Sequence, residues 1–119
     1  MMLMVSAEAK IYVYTEHVDM RRSIDGLVVM LADTYQLNPQ TGDLFIFTNK
    51  SRNKIKLLFW DRNGFVLYYK KLERGRFNYS RYIQDQTITI STKQLQALLM
   101  GIDFYLLGQF PSEISHDFF

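Results

Sequence analysis

The sequence predicts an α+β domain, a mainly antiparallel sheet of about five strands with two helices packed on it. Three observations carry that prediction. Short runs rich in β-branched and aromatic residues recur between turn residues, as in "KIYVYT", "LFIFT", "KIKLLFWD" and "TITIS". Two stretches carry apolar residues at helical spacing instead. Asn63-Gly64, set between two strand-like arms, is a strong hairpin signal because both residue types tolerate positive φ. The order along the chain is β-α-β-β-β-β-α, with the helices expected against one side of the sheet.

Taken in turn, residues 10–15 read as a short strand. In "DMRRSIDGLVVMLADTYQLNP", Ile24, Leu27, Val28, Leu31 and Tyr35 form one apolar helical stripe. Asp19 or Ser23 caps its start by accepting backbone N–H bonds, and Asn38-Pro39 ends it. Gly26 inside the stripe costs about 1 kcal/mol of helix propensity against alanine. Either a close approach to the sheet or a helix start nearer Gly26 explains it. "LFIFT" (44–48) is apolar throughout and suggests a central strand. A polar loop (49–53) leads to hairpin arms at about 54–61 and 65–73. "TITIS" (87–91) alternates as a strand does. Ser91 and Gln94 have capping-box spacing, opening a helix with Leu95, Leu98, Leu99 and Ile102 on one side, and Gly101 offers a left-handed end.

The 119 residues are enough for one core, expected over 1–107, with 108–119 a loosely ordered tail. A hydrophobic content of 48% sets the chain apart from disordered sequences, and the lack of cysteine removes disulfides and thiolate metal sites. "MMLMVSAEAK" lacks a basic n-region and does not read as a signal peptide. The apolar run "LLMGIDFYLLG" is interrupted by Asp103 and is too short to span a bilayer. A cytoplasmic protein without a membrane partner is the expectation.

The net charge of +2 conceals an uneven distribution. Residues 1–49 hold three basic and six acidic side chains, and residues 82–119 hold one basic and four acidic. Residues 50–81 hold ten basic against two acidic. Such a segment is a footprint for anions, although scattered lysines more often mean solvated surface. Within the hairpin, Ile55, Leu57 and Phe59 share one face, while Lys54, Lys56, Leu58 and Trp60 share the other. The first set is the natural core face. A two-residue Asn63-Gly64 turn sets Lys56 opposite Lys71, and a "DRNG" turn with a glycine bulge sets it opposite Lys70. Either pairing is unfavourable unless solvent, Glu73 or a bound anion relieves it. The outer face then joins lysines with Trp60 and, by register, Tyr68 or Tyr69, a mixture suited to phosphates and bases. The plainer alternative buries Trp60 under a loop or helix and leaves the lysines as its border.

No phosphate-binding glycine loop, G-x-S-x-G or H-E-x-x-H occurs. His17 and His116 are far apart and read as structural. Asp19, Asp25, Asp61 and Glu73 are conceivable nuclease ligands, but caps, turns and lysine pairing account for each. No catalytic residue, metal or cofactor is expected.

"DMRRSIDGL" (19–27), "LFIFTNKSRNKIKLLFWDRNGFVLYYKKLERGRF" (44–77) and "LQALLMGID" (95–103) resemble the second-ORF accessory protein, often called TnpB, of bacterial insertion sequences of the IS66 type. The matching positions run through Asp19, Met20, Arg21, Asp25 and Gly26, then Phe45 and Phe47, then Lys56, Leu58, Trp60, Asp61 and Gly64. They continue through Leu72, Glu73, Gly75 and Phe77 to Gln94, Leu95, Leu98 and Gly101-Ile102-Asp103. The resemblance spans about residues 10–103, departing at "NYSRY" and in the tail. It implies a non-catalytic part in transposition, beside a separate transposase that holds the catalytic acids.

Two readings follow. In the first, Lys50, Arg52, Lys54, Lys56, Arg62, Lys70, Lys71, Arg74 and Arg76 bind DNA phosphates with weak sequence specificity. Trp60 stacks or packs beside them, and Arg21 and Arg22 add to the contact. In the second, Trp60, the tyrosines and the tail residues Phe110, Phe118 and Phe119 anchor the protein on the transposase or another protein encoded by the same element, without direct DNA contact.

Overall fold

A computed structural model describes residues 7–78 and 87–102 of the chain. Five strands form one sheet: β1 Ile11–Tyr14, β2 Leu44–Thr48, β3 Lys54–Asp61, β4 Gly64–Lys71 and β5 Thr87–Ile90. In space they run β4-β3-β2-β1-β5. β1 and β2 are parallel and connected through helix α1 (Ile24–Val29), while the other neighbours are antiparallel. Helix α2 (Thr92–Leu99) follows β5. The class is the α+β one expected, but the helices do not share a side.

Both faces of the central strands are buried, and each has its own core. Ile11, Val13, Leu44, Ile46, Ile55, Leu57 and Phe59 pack with Leu95, Leu98 and Leu99 of α2. The alternate residues Tyr14, Phe45, Phe47 and Leu58 pack with Leu27 and Leu31 from the other helix. Residues 55–59 are therefore buried without a break. The face read as solvent-facing is instead the floor of a second core, and one lysine within it hid that role. Along the parallel pair, Tyr12 stacks on Phe45 at 5.6 Å and Tyr14 on Phe47 at 5.1 Å between ring centroids.

Ser23, not Asp19, caps α1: its hydroxyl accepts from the Gly26 N–H at 3.2 Å. The helix starts only at Ile24, so Gly26 lies in its first turn. A Cβ there would meet Ser23 Oγ at 3.7 Å and Arg22 Cβ at 3.8 Å, ordinary contacts. The late start, rather than a close approach to the sheet, accounts for this glycine. Met30–Thr34 continues as a π-helical stretch, with the Tyr35 N–H donating to the Met30 carbonyl at 3.3 Å. Gln36, at φ 54, turns the chain away just before Asn38-Pro39.

The hairpin adopts neither expected register. Asp61 pairs with Gly64, so the two-residue loop is Arg62-Asn63, with Arg62 at φ 53. Lys56 then faces Tyr69, and Lys54 faces Lys71. This register spares the buried Lys56 a like-charged neighbour across the ladder. It also sets Leu58 against Leu67 and Trp60 edge-on against Phe65, at 4.9 Å and 71°. The expected tail (108–119), with Phe110, His116, Phe118 and Phe119, lies outside the described residues, as does Arg81.

Candidate nucleic-acid interface

The basic residues of the hairpin region divide into three groups. Lys56 and Lys70 turn inward. Lys56 is 6% exposed, and its Nζ donates to the carbonyls of Met20 at 2.7 Å and Arg22 at 2.8 Å. Burial pushes its pKa below the ordinary lysine value, with the charge of Asp19 opposing the shift. Lys70 donates to the Leu99 carbonyl at 2.8 Å, a cation on the last turn of α2. Both ammonium groups are engaged by backbone, which the strand phase alone did not reveal.

Trp60 and Arg62 form the second group, at the hairpin tip. Trp60 is half-buried against Phe65, and Arg62 is almost fully exposed, with Asp61 4.0 Å away. Six residues of extended chain, about 20 Å, separate Trp60 from Lys54. The tip and the base of the hairpin are separate places.

The third group gathers at the base of the hairpin, around the C-terminal ends of the parallel pair. Here the β1–α1 loop meets the β2–β3 loop, with the Val18 N–H donating to the Thr48 carbonyl at 2.8 Å. A cleft of about 610 Å³ opens between them, lined by His17, Asp19, Arg21, Lys50, Ser51 and Lys54 among others. A smaller hollow of about 310 Å³ adjoins it, shares His17 and Lys50, and reaches Glu16 and Arg52. In sheets with parallel strands, the space beyond the strands' carboxyl ends is where ligands are most often bound.

The β2–β3 loop is closed by local hydrogen bonds from one side chain. Asn49 Oδ1 accepts from the N–H groups of Asn53 and Lys54, each at 3.0 Å, and Asn49 Nδ2 donates to Asn53 Oδ1 at 2.7 Å. Arg52, at φ 57, completes the turn with its N–H on the Asn49 carbonyl. The segment after β4 is then tied to this loop. The Leu72 N–H donates to the Asn53 carbonyl at 2.7 Å and the Phe77 N–H to the Arg52 carbonyl at 2.6 Å. Lys71, Arg74 and Arg76 are exposed on this tied segment, with Lys71 directly across the ladder from Lys54.

Asp19 is an acid in this setting, and Arg21 answers it. The pair is bidentate, with Arg21 Nη2 at 2.7 Å from Oδ2 and Nε at 3.1 Å from Oδ1. The hydrogen bonds from Arg21 hold the Asp19 carboxyl down at about 2, and the same contact raises the Arg21 pKa. Arg21 is thus partly neutralised, while Arg22 is exposed beside it. Among the described residues no group of three or more His, Cys, Asp or Glu is placed to hold a metal ion.

Two residues at this end had other readings from sequence, His17 as structural and Tyr69 as one of two register alternatives with Tyr68. His17 lines both hollows. Tyr69 is about half exposed, opposite Lys56, and only the observed register distinguishes it from Tyr68, which packs on the α2-side core.

Fold and site together define a small α+β domain with a cleft between two loops at its basic end. The chain matches the family described as IS66 Orf2 like protein over residues 9–108, and it belongs to that family. It is similar to the uncharacterized protein y4hO of Sinorhizobium fredii (strain NBRC 101917 / NGR234), 35% identical over 103 residues that cover 87% of this chain and 89% of the relative. The uncharacterized protein y4jC of the same strain is 31% identical over 102 residues, covering 86% of each chain. No solved structure matches. Membership implies an accessory role in transposition, in a family not known as catalytic. No helix among the described residues is long and apolar enough to cross a membrane.

Proposed function

We propose that the protein serves transposition by holding DNA phosphates at the basic end of its sheet, as a non-catalytic companion of the transposase encoded by the same element. The observation that carries this reading is the convergence of three loops. Arg21 of the β1–α1 loop lines one cleft with Lys50 and Lys54, and the segment carrying Lys71, Arg74 and Arg76 is joined to the β2–β3 loop by the Leu72–Asn53 and Phe77–Arg52 backbone bonds. Lys56 and Lys70 support the framework, and Arg62 with Trp60 stands apart at the tip. Contacts of this kind position a protein on DNA without reading its sequence.

The test is a salt titration of binding to labelled element-end DNA and to unrelated duplex. Neutralising several phosphates predicts a log–log slope of roughly −3 to −5 and similar affinity for both DNAs. An absence of binding at low salt would overturn the reading.

One observation favours docking on the transposase as a second reading. β4 has no described strand on its outer side and exposes Val66 and Tyr69. Co-purification with the transposase, abolished by substitutions at Val66 with DNA binding retained, would support it.

A further inference from the structure

Tyr69 stands out on the face it occupies. Its strand neighbours on the same face, Phe65 and Leu67, pack into the α1-side core, whereas Tyr69 belongs to neither core and is 49% exposed. The Lys56 ammonium lies 5.0 Å from the ring centroid, and that ammonium is fixed by the Met20 and Arg22 carbonyls. An anchored cation thus lies over the ring, and about half of the residue's surface is open to solvent. Next along the same face come Lys71 and, across the ladder from it, Lys54. Two like charges opposite each other are unfavourable, and neither has an ion-pair partner among the described residues. A phosphate set between them relieves that repulsion. The strand repeat places Lys71 about 7 Å beyond Tyr69, a short step for a chain whose bases and phosphates alternate.

We infer that Tyr69 is a base-stacking platform, and that the basic end therefore takes single-stranded DNA in preference to duplex. This rests on the reading that the basic end holds DNA. In a duplex the base faces are already stacked on one another, so the ring gains nothing there. In a single strand every base offers a free face, while Lys54 and Lys71 hold the flanking phosphates.

The experiment compares a labelled mixed-sequence single strand with a blunt duplex of the same length, at matched salt, for the full chain and for Tyr69→Ala, Tyr69→Leu and Tyr69→Phe. Unfolding midpoints establish that each variant is folded. The expected result is tighter binding of the single strand by the parent protein. Tyr69→Ala and Tyr69→Leu lose about 5- to 150-fold for the single strand and less than twofold for the duplex, and Tyr69→Phe is near the parent. Equal affinity of the parent for the two DNAs overturns the inference while leaving phosphate binding intact. Equal losses on both DNAs, or a loss confined to transposase binding, overturn it too. No binding of either DNA removes the underlying reading as well.

Discussion

Lys56 and Lys70 sit diagonally across the β3–β4 ladder, point to opposite faces of the sheet, and each ends on backbone carbonyls at a helix boundary. One holds the entrance to α1 and the other the exit from α2. The hairpin is thus tied to both layers by two charges that the sequence presents as surface.

Replacing Lys56 with methionine keeps the apolar stem but strands two carbonyls, and the expected cost is about 1–3 kcal/mol. Lys70→Met removes one exposed-end contact with the α2 terminus and costs about 0.3–1 kcal/mol. Urea unfolding midpoints check the ranking. The depressed pKa of Lys56 also has a sign: the unfolded chain binds its proton more readily than the folded one. On this account stability rises as pH climbs from the folded pKa to the unfolded value near 10.5, and Lys56→Met lacks that rise.

Tyr14 is fully buried, and its hydroxyl has no hydrogen-bond partner among the described residues. Tyr14→Phe removes that unpaired group, so the variant is expected to match the parent or exceed it by up to about 1 kcal/mol. Burial, chiefly, raises the pKa of this phenol above 10.0. Its contribution is present below the unfolded value and is lost as pH rises past it toward the folded one, because the unfolded chain releases the proton first. Tyr14→Phe lacks that loss. Alkaline unfolding curves of the two proteins measure the difference.

Gly101 ends α2 at φ 80, with its N–H on the Leu98 carbonyl at 3.0 Å and the Ile102 N–H on the Ala97 carbonyl at 2.9 Å. This is the paired bonding of a left-handed helix terminus. Gly101→Ala is expected to cost about 1–2 kcal/mol, since alanine resists that conformation. Gly101→Asn recovers part of the loss. Thermal melts decide, and an unchanged Gly101→Ala midpoint would contradict the assignment.

Charge reversal separates the two ends of the hairpin. Lys50→Glu with Lys54→Glu is expected to weaken DNA binding at least about tenfold at low salt and to flatten the salt slope by about 2. Arg62→Glu, at the tip, changes binding by about twofold or less. Equal losses at both ends would place the contact along the hairpin face instead.

Much of the fold was legible because its signals are local. "LFIFT" and "KIKLLFWD" coincide with β2 and β3, and Ser91 with Gln94 forms the capping box that their spacing suggested. The second core was harder to see, because a lysine at position 56 marks its face as polar. Burial there depends on carbonyls 34 and 36 residues away, which no local pattern contains. The unbroken apolar run of β2 did carry the clue, since a strand covered on both faces shows no alternation. For the candidate site, the positive segment was plain from composition. Its division into anchors, tip and basic end was not, because that depends on the hairpin register and on the long-range bonds Leu72–Asn53 and Phe77–Arg52.

Because β3 is buried on both sides, the hairpin is masonry and not a finger. A two-stranded ribbon reaches base edges in a major groove only when it stands clear of the body that carries it. Here two layers of helix clasp it. A nucleic acid bound at the basic end would meet a surface braced from both sides of the sheet, with no projecting arm to reach around it.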